Sequence, residues 1–148
     1  MNTIFFEELE LPQPKFNLDV GSGPHGEQTG KILEGVQKIL IQEKPDVVLV
    51  QGDTNTVSAG ALAAAKLHIP VAHVVPGTRS FDRRTPEEIN RVVADHVPDL
   101  LFAPTETARR YLEGEGIPDE KIHVTVDAVF QNLEIAKKRQ GISPGWKI

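Results

Sequence analysis

Three residues that could bind or transform a small ligand follow an apolar stretch of the chain. Gly52, Asp53 and Thr54 follow the valine-rich run 46–50, with only Gln51 between them. Glycine permits a sharp turn or the close approach of a ligand to the main chain, and the free N–H groups of a helix N-terminus favour anions. On this interpretation Asp53 is a carboxylate that faces a crevice. The structural alternative is that Asp53 or Thr54 only caps the helix that follows.

The second candidate is a loop with three arginines. Arg79, Arg83 and Arg84 follow the apolar run 71–75. Guanidinium groups suit the recognition of phosphate or carboxylate, because their donors match two acceptor oxygens at once. The alternative is a solvated basic loop that balances the charge of an acidic protein.

A helix is predicted to begin after Thr85. Thr85 and Glu88 have the spacing of a capping box, and the proline between them fits the first helical position. The box accounts for Glu88 and leaves Glu87 as a candidate acid or base. Glu87 could instead join Arg91 and Asp95 in a surface ladder of ion pairs. The apolar spacing of this helix predicts a core stripe of Ile89, Val92, Val93, His96 and Val97.

Several other kinds of site lack their sequence signatures. The chain has no cysteine, and its five histidines show no metal-binding spacing such as HExxH. Core packing is the favoured interpretation of each histidine. The phosphate-binding P-loop, the GxGxxG dinucleotide motif and the GxSxG hydrolase elbow do not occur.

Short apolar runs alternate with amphipathic segments along most of the chain. This order is typical of βαβ units and predicts an α/β fold with a parallel sheet. Ligands of such sheets bind beyond the carboxyl ends of the strands, which is where both candidates lie. The predicted strands are 46–50, 71–75, 100–103 and 121–126, and the predicted helices are 3–11, 29–43, 59–66, 86–97, 105–115 and 128–139.

Composition narrows the class of protein further. The 148 residues correspond to one domain, with 39% hydrophobic residues, 25% charged residues and a net charge of −5. A basic face for nucleic acid is therefore not expected. The apolar runs are too short to span a membrane, and the first residues do not have the composition of a signal peptide. We expect a cytoplasmic protein.

Four stretches of the sequence carry a resemblance to a known family. They are PDVVLVQGDTNTVSAGALAAAKLHIPVAHV, GTRSFDRRTPEEINRVVADH, LLFAPTETARRYL and KIHVT. Together they resemble the non-hydrolysing UDP-N-acetylglucosamine 2-epimerases, and the match extends over most of residues 1–135. The resemblance implies a Rossmann-like parallel sheet that is one half of a two-domain, glycosyltransferase-B-like fold.

The resemblance also implies an isomerase activity and a set of site residues. Members of the family interconvert UDP-GlcNAc and UDP-ManNAc by eliminating UDP and adding it back with C2 inverted, typically without a metal or a nicotinamide cofactor. Carried over by motif, the catalytic carboxylates are Asp53 and Glu87. The expected substrate-binding residues are Gly52, Thr54, Arg79, Asn90 and Arg91.

The sequence also departs from the family pattern. A catalytic glutamate of the family is Val75 here, and valine cannot accept a proton; loss of a general acid or base typically costs about 10²–10⁴-fold in rate. A ligand-contacting glycine of the family is Val126.

The resemblance bears on domain organisation as well. We expect residues 1–140 to form a truncated N-terminal domain and residues 141–148 an irregular tail, with the first strand and the C-terminal nucleotide-binding domain absent. The strand at 47–50 would then have an unpaired edge. Another copy or a complementing chain could cover this edge, or the N-terminal segment could fold back over it. The isolated chain is expected to be inactive as an epimerase. The alternative is a non-catalytic remnant that binds a sugar nucleotide or a partner.

Overall fold

The computed structural model describes residues 12–125. The predicted helices 3–11 and 128–139, the tail 141–148 and the position of Val126 lie outside these residues. The helices are α1 (His25–Glu43), α2 (Asn55–Lys66), α3 (Pro86–His96) and α4 (Glu106–Gly114), and the strands are β1 (Val48–Gln51), β2 (Val71–Val74), β3 (Leu100–Ala103) and β4 (Ile122–Val124), preceded by a 3₁₀ turn (Asp119–Lys121).

The four strands form one parallel sheet in the order β1-β2-β3-β4. Val50 lies opposite His73, and Leu101 lies opposite Ile122. Each strand is joined to the next through a helix, or for β3 and β4 through α4 and the 3₁₀ turn. The α/β class and the parallel sheet are therefore confirmed, with strand bounds within three residues of those predicted. Helices α1 and α2 begin four residues earlier than the apolar spacing indicated.

The main core lies between β1, β2 and the helices α1 and α2. Val50 from β1 and Val71 from β2 pack with the alanines of α2, which are nearly inaccessible to solvent. The small alanine side chains allow this helix to approach the sheet closely. A second cluster joins β3, β4 and α4 through Leu101, Leu112 and Ile122.

The two faces of β1 differ strongly in the solvent exposure of their side chains. Val50 is 8% exposed, whereas its neighbour Leu49 is 61% exposed. Within residues 12–125, β1 pairs with β2 alone. The described part of the sheet thus ends in an apolar edge strand, as we expected for the strand at 47–50. None of the helices between residues 12 and 125 is both long and apolar enough to cross a membrane.

The predicted core stripe of α3 is wrong for three of its five residues, whereas Val92 is half-buried and Val97 packs against the main core. Ile89 and Val93 are 40% and 37% exposed, and His96 is also exposed. The fully buried side chains of this helix include Glu88 and Asp95. Both carboxylates are buried because loop N–H groups and arginines satisfy them, a stabilisation that apolar spacing cannot reveal.

The predicted capping box at the start of α3 is also wrong. Thr85 is the N-cap residue, but its hydroxyl donates to the carbonyl of Asp82 at 2.8 Å and makes no capping bond. The Glu88 carboxylate turns away from Thr85 and accepts hydrogen bonds from Ser80 and Phe81. The loop that precedes the helix therefore provides the partners that the box would have supplied.

The five histidines all lie among the described residues, and only His73 is buried. Core packing was the wrong interpretation for the other four, which are His25, His68, His96 and His123.

Candidate functional site

The carboxyl end of β1 forms the centre of the candidate site. The Gly52 N–H group donates to the carbonyl of Val74 at 3.3 Å, so Gly52 is still held against β2. Its φ of +89° then turns the chain toward α2, a backbone conformation that glycine adopts without steric cost. Thr54 is the N-cap residue of α2, and its exposed hydroxyl makes no capping hydrogen bond.

Asp53 is held in place by a side chain from α3. Nε and Nη2 of Arg91 lie 3.0 Å and 2.6 Å from Oδ2 of Asp53. Nη1 of the same guanidinium lies 3.1 Å from a carboxylate oxygen of Glu88. One half-buried arginine therefore links the strand-end aspartate to the buried glutamate of α3.

Glu88 fastens the loop that precedes α3. Its carboxylate accepts hydrogen bonds from the N–H and hydroxyl groups of Ser80, from the N–H group of Phe81 and from Arg91. Burial raises the pKa of Glu88, but the hydrogen bonds from these groups outweigh burial and leave the pKa below its ordinary value. Glu88 is therefore an ionised anchor for residues 80–81.

A chain of amide groups joins the N-terminal turns of three helices. Asn90 accepts a hydrogen bond from Ser58 at 2.9 Å and donates one to Asn55 at 3.0 Å. The amide of Asn55 in turn donates to Gln28 at 2.7 Å and contacts His25 at 3.0 Å. Asn90 was predicted from the sequence as a site residue, whereas Ser58 and Gln28 were not, because polar residues on separate helices show no common spacing.

An open groove of about 580 Å³ lies beside this amide chain, between α1, α2 and α3. Its apolar lining includes Leu33, Leu62, Ile89 and Val93. The exposed side chains of Ile89 and Val93 thus line this groove.

Glu87 lies in the first turn of α3 and is exposed. Its carboxylate takes part in none of the hydrogen bonds or ion pairs formed among the described residues. The first turn of a helix stabilises a carboxylate through the aligned peptide dipoles. The predicted ladder with Arg91 and Asp95 does not form, since those two side chains pair elsewhere.

Arg79 is occupied by protein partners. Its side chain is 1% exposed and lies 2.7 Å from Asp95 and 2.6 Å from Glu115. Burial lowers the pKa of Arg79, but the two carboxylates outweigh burial and raise it above its ordinary value. These contacts favour a supporting role, and direct substrate binding by Arg79 stays a prediction.

The three arginines of the loop do not converge on one place. Arg84 pairs with Asp82 of its own loop at 2.8 Å, and Arg83 is exposed. Hence the loop contributes one buried structural arginine and two surface arginines.

Val75 occupies a strained position directly after β2. Its φ is +69°, a region that β-branched residues rarely adopt. Its N–H group donates to the carbonyl of Phe102 at 3.3 Å, which keeps the strained residue attached to β3. The side chain brings no acid or base to this edge of the sheet.

Residues 12–125 contain no cluster of three or more histidine, aspartate or glutamate side chains that could hold a metal ion. The carboxylates of the site are paired with arginines or, for Glu87, stand apart. An α/β protein with carboxylates, amides and an arginine at the carboxyl edge of its parallel sheet has the features of a Rossmann-like domain with a small-ligand site.

Comparison with known proteins defines the class more closely. The model of the UDP-N-acetylglucosamine 2-epimerase family matches residues 1–145. The UDP-N-acetylglucosamine 2-epimerase of Methanocaldococcus jannaschii is 62% identical over 146 residues, covering 96% of this chain and 40% of the relative. The UDP-2,3-diacetamido-2,3-dideoxy-D-glucuronate 2-epimerase of Pseudomonas aeruginosa is 46% identical, covering 97% of this chain and 41% of the relative.

Solved structures agree with the sequence comparisons. The crystal structure of the M. jannaschii UDP-GlcNAc 2-epimerase in complex with UDP-GlcNAc and UDP superimposes with a TM-score of 0.85, covering 95% of this chain and 40% of that chain. The Neisseria meningitidis enzyme bound to UDP-GlcNAc superimposes with a TM-score of 0.84 at 32% identity, covering 93% of this chain and 38% of that one. The chain belongs to the UDP-N-acetylglucosamine 2-epimerase family. It spans about 40% of the length of these relatives.

Proposed function

We propose that the carboxyl edge of the sheet forms one wall of a binding site for a UDP-linked 2-acetamido sugar. The observation that carries this proposal is the position of Asp53, which Arg91 holds at the end of β1. The names of two relatives support the substrate class, because both act on UDP sugars with a 2-acetamido group. UDP-GlcNAc and UDP-ManNAc are the substrates that we infer.

The proposed reaction is 2-epimerisation by elimination and addition. A carboxylate removes the proton from C2, the bond between C1 and the UDP oxygen breaks, and UDP leaves with the electron pair. Addition of UDP to the resulting double bond and return of a proton to the opposite face of C2 complete the inversion. A base must lie within hydrogen-bond reach of the proton it removes. Asp53 and Glu87 are the proposed catalytic groups of this chain.

Gly52, Thr54, Asn90 and Arg91 are the proposed contacts to the substrate. Gly52 has open space around its α-carbon, so a ligand can approach the main chain there. Thr54 has an exposed hydroxyl without a capping role. Arg91 would orient Asp53 through Nε and Nη2. Its guanidinium would at the same time donate a further hydrogen bond to the ligand.

The valine at position 75 is the residue that we expect to prevent turnover of the bound substrate. The side chain of Val75 offers no proton acceptor, and its backbone is held in the left-handed region. We therefore expect the chain to bind the sugar nucleotide without turning it over. Replacing Val75 by glutamate in a protein that also carries the second domain should raise the epimerisation rate by about 10²–10⁴-fold.

A second candidate function is that of a non-catalytic partner-binding protein. The exposed Leu49 on the edge strand β1 favours it, because an apolar strand edge tends to pair with another chain. A second copy of the chain or a complementing chain with the remaining part of the enzyme would fit this edge.

Calorimetry and proton NMR with UDP-GlcNAc in deuterated buffer separate these functions. We expect saturable binding of UDP-GlcNAc and of UDP, without release of UDP, appearance of UDP-ManNAc or incorporation of deuterium at C2. The absence of binding to either ligand would overturn the sugar-nucleotide proposal. Formation of UDP-ManNAc would overturn the proposed block at Val75.

A further inference from the structure

His73 lies in the middle of β2 and is almost completely buried, with 1% exposure. A histidine in that position would ordinarily be replaceable by an apolar side chain of similar size. Both ring nitrogens of His73, however, face polar groups. Nε2 lies 2.9 Å from the carbonyl oxygen of Gly52, and Nδ1 lies 2.8 Å from Oδ1 of Asp95.

The contact with Gly52 determines which ring nitrogen carries a proton. A carbonyl oxygen can only accept hydrogen bonds, so Nε2 of His73 is the donor. The carbonyl of Gly52 is part of the peptide that joins Gly52 to Asp53. A bond to this oxygen therefore fixes the plane of that peptide and the direction in which the chain leaves β1.

Gly52 needs such a restraint because its own backbone provides little. Its φ is +89°, and apart from the two residues next to it in the chain no atom lies within 4 Å of the position that a Cβ would occupy. Glycine in open space has more accessible conformations than any other residue. Without the bond from His73, the peptide before Asp53 could rotate among several of them.

A buried carboxylate lies beside the ring of His73. Asp95 is 1% exposed and accepts hydrogen bonds from the N–H group of Gly77 at 2.9 Å and from Arg79 at 2.7 Å. Oδ1 of Asp95 also lies 2.8 Å from Nδ1 of His73, but these two atoms do not form a hydrogen bond. Asp95 thus connects the loop after β2 to the histidine that reaches the loop after β1.

We propose that His73 is a positioning residue whose Nε2–H group fixes the Gly52–Asp53 peptide and so aims Asp53 at the carboxyl edge of the sheet. Asp53 is then restrained from two directions. His73 on β2 fixes the peptide that precedes Asp53, and Arg91 on α3 fixes the side chain of Asp53. The value of this restraint for catalysis rests on the proposed function, but the restraint itself can be measured without any substrate.

A pair of amide substitutions isolates the hydrogen bond from simple packing. In His73→Gln the side-chain amide reaches about as far as Nε2 and can donate to Gly52, whereas in His73→Asn it reaches only as far as Nδ1. Both side chains are polar, so a role in packing alone predicts similar effects. His123→Gln and His123→Asn on β4 are matched controls, because His123 also lies in the parallel sheet but is exposed.

The first readout is backbone NMR of the ligand-free chain. We expect His73→Asn to shift the carbonyl carbon signal of Gly52 and the amide signal of Asp53, and His73→Gln to restore them toward the wild-type positions. Equal signals in the two variants would overturn the proposal. A through-bond correlation between Nε2 of His73 and the carbonyl carbon of Gly52 tests the wild-type chain directly, even if a variant fails to fold, and its absence would also overturn the proposal.

The second readout is the affinity for UDP-GlcNAc. We expect His73→Asn to weaken binding by about tenfold, because misplacement of a site group by a fraction of an ångström to an ångström has effects of this size or larger. His73→Gln should stay within about threefold of the wild type on the same argument. If the wild-type chain does not bind UDP-GlcNAc, the proposed function fails while the NMR readout still decides the role of His73.

Discussion

Arg91 and Asp53 form an ion pair across 38 residues of sequence, with Nη2 of the arginine 2.6 Å from Oδ2 of the aspartate. Because Arg91 also donates to Glu88, this pair ties the end of β1 to the first turns of α3. Glu88 in turn holds the N–H groups of Ser80 and Phe81. The strand-end carboxylate of the candidate site therefore depends on a helix and on a loop that belong to the next βαβ unit.

Removing Arg91 should destabilise the protein more than removing a surface arginine. Arg91→Ala leaves Glu88 buried with one partner fewer, and we expect a loss of about 1–3 kcal/mol in the free energy of unfolding. Arg109→Ala is the matched control, since Arg109 pairs with Glu113 and Asp119 at the surface and should cost less than about 1 kcal/mol. Urea unfolding of both variants measures the difference, and equal losses would contradict the role of Arg91.

The pKa of Glu88 predicts a pH dependence of stability. Burial raises this pKa, but hydrogen bonds from Ser80, Arg91 and Phe81 outweigh burial and lower it from 4.5. The ionised carboxylate therefore stabilises the folded state above pH 4.5, and this contribution is lost as the pH falls through the folded pKa. We expect the stability lost in Glu88→Gln to be largest near pH 7 and to shrink below pH 4.5. A difference that does not change between pH 7 and pH 3 would contradict this assignment.

Two glycines with positive φ should respond differently to alanine. In Gly77→Ala the new Cβ would lie 2.5 Å from the carbonyl oxygen of Ala108, in addition to the strain of a φ of +76°. Gly52→Ala meets only the strain, because the space around Gly52 is open. We expect a loss of about 1–2 kcal/mol for Gly52→Ala and a clearly larger loss for Gly77→Ala. Thermal unfolding compares the two, and the reverse order would show that the close packing of Gly77 against α4 is incorrect.

Relief of the strain at Val75 should stabilise the chain. Asparagine tolerates the left-handed region far better than valine does, so Val75→Asn is expected to gain about 1 kcal/mol. Val74→Asn is the control, because Val74 is also half-buried but lies within the regular strand β2. Denaturant unfolding should show a gain for the first variant and a loss for the second. A similar loss in both would mean that Val75 is not strained.

The strands and their parallel order could be predicted from the sequence because the signal is local. The runs at 46–50 and 71–75 are short, rich in valine and bounded by proline and glycine. The first becomes the edge strand β1 and the second the buried strand β2, each followed by a helix. The carboxyl-edge location of Asp53 follows from the same pattern, since a ligand-facing loop must come after the strand.

The side-chain partners could not be predicted because they depend on tertiary contacts. Thr85 and Glu88 have the spacing of a capping box, yet Glu88 accepts hydrogen bonds from the N–H groups of Ser80 and Phe81 instead. Arg79 has the chemistry of an anion-binding residue, yet Asp95 and Glu115 bury it. In both cases the competing partner lies on an element whose position is set only by the folded sheet.

A residue-resolved NMR titration with UDP-GlcNAc tests whether the carboxyl end of β1 binds a sugar nucleotide. We expect saturable shifts of the backbone signals of Gly52, Asp53 and Thr54, with the exposed turn at Asp119 unaffected as an internal reference. Arg91→Ala should reduce these shifts while its signals for β3 and α4 remain those of a folded protein. Saturable shifts that leave Gly52, Asp53 and Thr54 unchanged, or no shifts at all, would show that the carboxyl end of β1 is not the binding site.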